Sequence, residues 1–88
     1  MTNREIAHVL FNIATLLELA EGNPYRIRAY RRAAQTVMGL ERPVTELQKW
    51  ELEVLPGIGD HLAVAITNYV RTGEWKTYEE LTSADLAV

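Results

Sequence analysis

The chain has no cysteine, and among its 88 residues it has only two histidines, one phenylalanine and three prolines. Without cysteine there is neither a disulfide framework nor a thiolate metal site, and a reducing compartment is the natural setting. His8 and His61 alone fall short of the four ligands of a structural zinc site. No run approaches the roughly 18 apolar residues that a membrane span requires. The opening Met1-Thr2-Asn3-Arg4-Glu5 also lacks the basic start and apolar run of an export signal. A soluble, cytoplasmic protein with no membrane partner is the expectation. An excess of positive charge is missing too: the net charge is −3, which argues against indiscriminate polyanion binding.

The charge is nevertheless unevenly spread. Between Asn23 and Arg42 lie Arg26, Arg28, Arg31, Arg32 and Arg42 against the single acid Glu41, so this stretch is basic and the remainder strongly acidic. Hydrophobic residues make up 48% of the chain, and a chain of this size buries roughly 60% of its unfolded surface, enough for one core. One domain is expected over residues 1–82, with a frayed tail over 83–88.

The apolar residues recur at helical spacing, with no strand-like alternation and no internal repeat. Thr2 and Glu5 fit a capping box for a first helix from about Asn3 to Glu21, with Ile6, Val9, Leu10, Ile13, Leu17 and Ala20 on its apolar face. Gly22 is expected to close it in the left-handed conformation. Asn23 and Pro24 suit the start of a second helix running to about Leu40. Its stripe of Ile27, Tyr30, Ala34, Val37 and Met38 spans about 100 degrees of arc, leaving Arg28, Arg31 and Arg32 on the opposite side. After Arg42-Pro43, Thr45 is the expected cap of a short irregular element holding Leu47, Trp50, Leu52 and Leu55. Asp60 is the expected cap of a fourth helix that buries Leu62, Ala63, Ile66, Tyr69 and Val70 and ends at Gly73. A short last helix, about Trp75 to Leu81, lays Trp75, Tyr78 and Leu81 across the core, and fraying begins at Thr82. The predicted fold is all-α: a compact bundle of four main helices plus a short C-terminal helix.

The segment Leu55-Pro56-Gly57-Ile58-Gly59-Asp60-His61-Leu62-Ala63 carries the chemistry. It reads hydrophobic-x-Gly-hydrophobic-Gly running directly into a helix, the pattern of a helix-hairpin-helix. Two glycines let the backbone turn tightly and approach a ligand closely, while Ile58 plugs the turn into the core. The N–H groups of Gly57, Gly59 and the residues after them then lie at a helix N-terminus, which favours a phosphate. Such contacts position a nucleic acid without reading its bases. Asp60, however, places a carboxylate where phosphate approaches, and Glu51 and Glu53 precede the turn, so the hairpin alone binds weakly. Arg28, Arg31 and Arg32 are i, i+3 and i+4 neighbours and are expected to meet a phosphate together.

Asn3-Arg4-Glu5-Ile6-Ala7, the stretch from Asn23 to Ala34, Leu55 to Gly59, and Tyr69-Val70-Arg71-Thr72-Gly73 together resemble the N-terminal 8-kDa domain of family X DNA polymerases, the polymerase beta-like group, in its bacterial form. The resemblance covers nearly the whole chain. It implies DNA as the partner, gapped or nicked and held near a 5′-phosphate as in DNA repair, and a polymerase catalytic domain as a neighbour if the chain is an excised piece. By position it implies that Arg26 serves the 5′-phosphate, that Tyr30 lines the pocket, and that Gly57 and Gly59 supply hairpin amides. His61 stands where a family lysine contacts phosphate, which makes that contact pH-dependent. The backbone carbonyls of Glu53, Leu55 and Ile58 are implied as ligands of a Na+ or K+ ion, with no other cofactor.

In the vertebrate enzyme of this family a lysine on the helix after the hairpin forms a Schiff base with an abasic sugar. Here that position is Ala65, which has no amine, and the only lysines are Lys49 and Lys76. His61, Ala65, Asn68 and Thr72 share one helical face. The expectation is therefore a non-catalytic module gripping the DNA backbone. A protein-interaction domain that retains the fold is the alternative, motivated by the acidic net charge, Asp60 and an exposed Val64. A residual 5′-deoxyribose-phosphate lyase is a third reading.

Overall fold

The computed structural model describes residues 1–86. It contains five α-helices: α1 Asn3–Leu19, α2 Pro24–Met38, α3 Lys49–Glu53, α4 Asp60–Thr72 and α5 Lys76–Leu86, with a single 3-10 turn, Val44–Glu46, between α2 and α3. Among the described residues there is no strand. This is the all-α bundle expected from the periodicity.

Each junction has an identifiable local cause. The Thr2 hydroxyl accepts the Glu5 N–H at 3.1 Å to start α1, and the Asn23 side chain accepts the Tyr25 N–H at 2.8 Å to start α2, with Pro24 in its first turn. Between them α1 ends in a Schellman arrangement: Gly22 N–H reaches the Leu17 carbonyl at 2.7 Å and Glu21 N–H the Glu18 carbonyl at 3.0 Å. The left-handed residue is Glu21 (φ 55°), not Gly22 as expected. Gly22 serves proximity instead, since a Cβ there would lie 3.0 Å from the Leu17 carbonyl oxygen.

Two other expected caps are modified. Thr45 falls inside the 3-10 turn, and α3 is started by the Glu51 carboxylate, which accepts the Gln48 N–H at 3.0 Å. Gly59, not Asp60, is the N-cap of α4; Asp60 is its first helical residue and makes no capping bond. Gly73 closes α4 in the left-handed region (φ 76°) as predicted. Helix α5 runs on to Leu86, past the expected end at Leu81, because Thr82-Ser83-Ala84-Asp85 contains neither proline nor glycine to stop it. Of the tail expected to fray, residues 87–88 lie outside the described residues.

The core is one cluster. Ile6, Leu10 and Ile13 of α1 meet Ala33, Ala34 and Val37 of α2, and Leu52, Ile58, Ile66 and Trp75 close the other side. The sequence stripes are largely recovered, with three exceptions. Ala20 is exposed beyond the end of α1, Met38 is exposed on the last turn of α2, and Trp50 is 67% exposed on α3. Ala33, outside the expected stripe, is buried instead. Trp75 packs its ring 5.5 Å from that of Tyr69, and Tyr78 and Leu81 lie against the core from α5. At the other end Asn3 binds the loop before the 3-10 turn twice, accepting the Val44 N–H at 2.7 Å and donating to the Arg42 carbonyl at 2.9 Å.

A non-glycine residue in the left-handed region costs about 1–2 kcal/mol, partly offset by the backbone entropy that glycine loses on folding. Glu21→Gly is therefore expected to stabilise the protein by about 0.5 kcal/mol, read as a higher urea midpoint at unchanged slope.

Candidate nucleic-acid interface

The hairpin is seated on α2. Ile58 is buried to 2% exposure, so it plugs the turn as the sequence implies. Gly57 adopts φ +80°, and a Cβ on it would meet the Arg32 stem at 2.6 Å. One helical turn further along α2, the Thr36 hydroxyl donates to the Pro56 carbonyl at 2.6 Å. Arg32 and Thr36 thus fix the hairpin from below. Gly59 is different: its φ is ordinary, and nothing lies within 4 Å of a Cβ built there. Its lack of a side chain keeps the approach to the α4 N-terminus open.

Around the turn, Lys49 of α3 bridges Glu53 at 3.2 Å and Asp60 of α4 at 3.0 Å. The two carboxylates, Asp60 foremost, raise the Lys49 ammonium above its ordinary value, and Lys49 in turn holds the Asp60 carboxyl below its ordinary 3.8. A lowered carboxyl value means that the bridge favours folding above that range and is lost as pH falls through the lowered value. Likewise Glu51 is held low by the Gln48 N–H, aided by Arg42. The acids flanking the hairpin are thus engaged with cations of α3 and of the loop before it.

The arginines of α2 do not act as one patch. Arg31 pairs with Glu18 of α1, Arg42 pairs with Glu51 at 3.1 Å, and Arg28 lies over the exposed Tyr25 ring at 5.3 Å. Arg32 runs past Gly57. Glu18, invisible to a helical wheel drawn on α2 alone, is the partner of Arg31 in the structure.

Arg26 has another setting. Its guanidinium lies 5.9 Å from the centroid of the buried Tyr30 ring, and together with Tyr30, His61 and Ala65 it lines a cavity of about 360 Å³ between α2 and α4. Four of the positions that the family resemblance singled out, Arg26, Tyr30, His61 and Ala65, are brought together here, whereas Glu53, Leu55, Gly57, Ile58 and Gly59 do not line the cavity. The cavity shares His61, Ala65 and Thr77 with a wider groove of about 820 Å³ along α4. Asn68 and Thr72 line that groove as the helical wheel predicts, and so does Val64, 39% exposed. Arg71 and Lys76, not singled out in the sequence, line it too. Arg71 was findable as the neighbour of Asn68 on the helix surface, and its guanidinium donates to the Asn68 side chain at 3.2 Å.

A hairpin with a left-handed first glycine, a buried plug and a second glycine capping the next helix defines the helix-hairpin-helix class. The chain belongs to the Helix-hairpin-helix domain family, which matches residues 1–75. It is similar to the DNA polymerase/3′-5′ exonuclease PolX of Bacillus subtilis (strain 168), at 31% identity over 81 residues. That match covers 92% of this chain but 14% of the relative, so the chain corresponds to a small part of that protein.

The two hairpin glycines are separable by mutation. Gly57→Ala must force a left-handed alanine against Arg32 and is expected to destabilise the fold by about 1–2 kcal/mol. Gly59→Ala is expected to leave the melting temperature within about two degrees of the parent, so differential scanning calorimetry on both variants checks the assignment.

Proposed function

We propose that this domain is a non-catalytic, sequence-nonspecific DNA-binding module that grips the phosphate backbone of gapped or nicked DNA beside a 5′-phosphate. The observation that carries the proposal is the convergence of Arg26, Tyr30 and His61 on one cavity next to the hairpin. Arg26 supplies a forked donor for a terminal phosphate, and the open α4 N-terminus at Gly59 supplies amides for a second phosphate. Arg71 and Lys76 add two cations along the groove, which Glu74 and Glu79 also line. DNA as the polymer is supported by the similarity to the Bacillus DNA polymerase/3′-5′ exonuclease.

A Na+ or K+ ion at the carbonyls of Glu53, Leu55 and Ile58 belongs to the same proposal. The Leu55 carbonyl accepts the Ile58 N–H at 3.1 Å, and a carbonyl oxygen with two lone pairs keeps one for an ion. The ion would add positive charge at the turn. Schiff-base chemistry falls outside the proposal: Ala65 lines the cavity with a methyl group, and the groove's one lysine, Lys76, starts α5 rather than occupying the helix after the hairpin. The module holds the substrate of DNA repair, and if the chain is a piece of a longer protein a polymerase catalytic domain is its neighbour.

Fluorescence anisotropy on gapped DNA, with and without a 5′-phosphate, tests the reading. Binding is expected at about 50 mM salt with a log-log salt slope of about −3. Arg26→Ala is expected to weaken it by about tenfold or more and to abolish preference for the 5′-phosphate. No binding at that salt would overturn the proposal. Borohydride treatment with abasic DNA is expected to trap no covalent adduct; an adduct lost in Lys76→Ala would make the module an enzyme.

A further inference from the structure

At the end of α2 opposite the cavity lies a surface of different character. Leu40, Leu47, Trp50, Val54 and Leu55 line a largely apolar depression of about 430 Å³, with the paired Arg42 and Glu51 at its edge; Trp50 on α3 is 67% exposed and Val54, just past its end, 77%. Trp50 and Val54 are i, i+4 neighbours and present a single ridge. An exposed tryptophan beside an exposed valine over a preformed depression is unusual for a free surface, because tryptophan is the residue most enriched at binding hot spots.

The charge around this surface says what fits it. From Glu41 to Asp60 there are five acids (Glu41, Glu46, Glu51, Glu53 and Asp60) and two bases, Arg42 and Lys49. Arg42 is taken by Glu51, and Lys49 is shared by Glu53 and Asp60. Among the described residues Glu41 and Glu46 form no ion pair. Both are exposed, and Glu41 lies on the rim of the depression. The unneutralised charge here is negative, so a phosphate polymer is repelled and a cationic partner is attracted.

We infer that the Leu40–Leu47–Trp50–Val54 depression is a protein-docking site for an amphipathic partner helix whose apolar anchors are flanked by lysine or arginine. Helix-in-groove recognition uses such apolar anchors at i, i+3 or i+4 spacing. The apolar residues enter between Leu47 and Trp50, and the partner's cations meet Glu41 on the rim.

The probe is a synthetic amphipathic helix of leucine and lysine, compared with the same peptide bearing glutamate in place of lysine. Trp75 is buried to 4% exposure, so a blue shift on docking reports Trp50. The lysine peptide is expected to bind with a blue shift, and the glutamate peptide is not. Val54→Glu is expected to weaken binding by about tenfold or more without changing the melting temperature, and Trp50→Ala is expected to do the same. Equal binding of the two peptides, no binding of the lysine peptide, or undiminished binding by Val54→Glu overturns the inference. A dimer in sedimentation that Trp50→Ala abolishes makes the occupant a second copy instead. A blue shift produced by gapped DNA and not by the peptide makes the surface a nucleic-acid contact.

Discussion

The molecule depends on how one hairpin is seated on one helix. The stem of Arg32 occupies the space that any side chain at position 57 would need, and Thr36 draws in the Pro56 carbonyl from the next turn of α2. Those two contacts, with Ile58 driven into the core, set the direction in which α4 leaves the turn. Once α4 is directed, His61 and Ala65 must face Arg26 and Tyr30 across the cavity. The cavity follows from the seating of the hairpin and needs no separate framework.

The fold and the family were legible in the sequence because they rest on local rules. Thr2, Asn23 and Pro24 cap where side-chain chemistry alone says they should, and the apolar stripes of α1 and α4 face the core as their period requires. The misplaced features are those decided by partners distant in the chain. Gly22 reads as the left-handed residue, whereas it lies close against the Leu17 carbonyl and the positive φ falls to Glu21. Asp60 looks like a cap until Lys49 pulls its carboxylate aside. Trp50 reads as core by composition, yet five residues of helix cannot bury both it and Leu52, and Leu52 wins.

Charge shows the same division. The run of arginines on α2 is visible in the sequence, but the partners of its members are not. Glu18 comes from α1 to meet Arg31, and Tyr25 lies beneath Arg28. Arg26, Arg71 and Lys76 line the cavity and the adjoining groove together with His61, drawn from three helices, with Glu74 and Glu79 beside them in the groove. A motif marks the turn, while the walls of the cavity beside it come from elements that no local pattern connects.

Helix α2 also acts as a spacer. Arg26 lies in its first turn and Gly39 just past its end, which at 1.5 Å per residue separates cavity and depression by about 20 Å. The screening length of physiological salt is about 8 Å, so the acidic rim around Trp50 is electrostatically remote from Arg26. A protein with a net charge of −3 can therefore present a cationic face at one end of a single helix and an anionic face at the other, each nearly blind to the other through solvent.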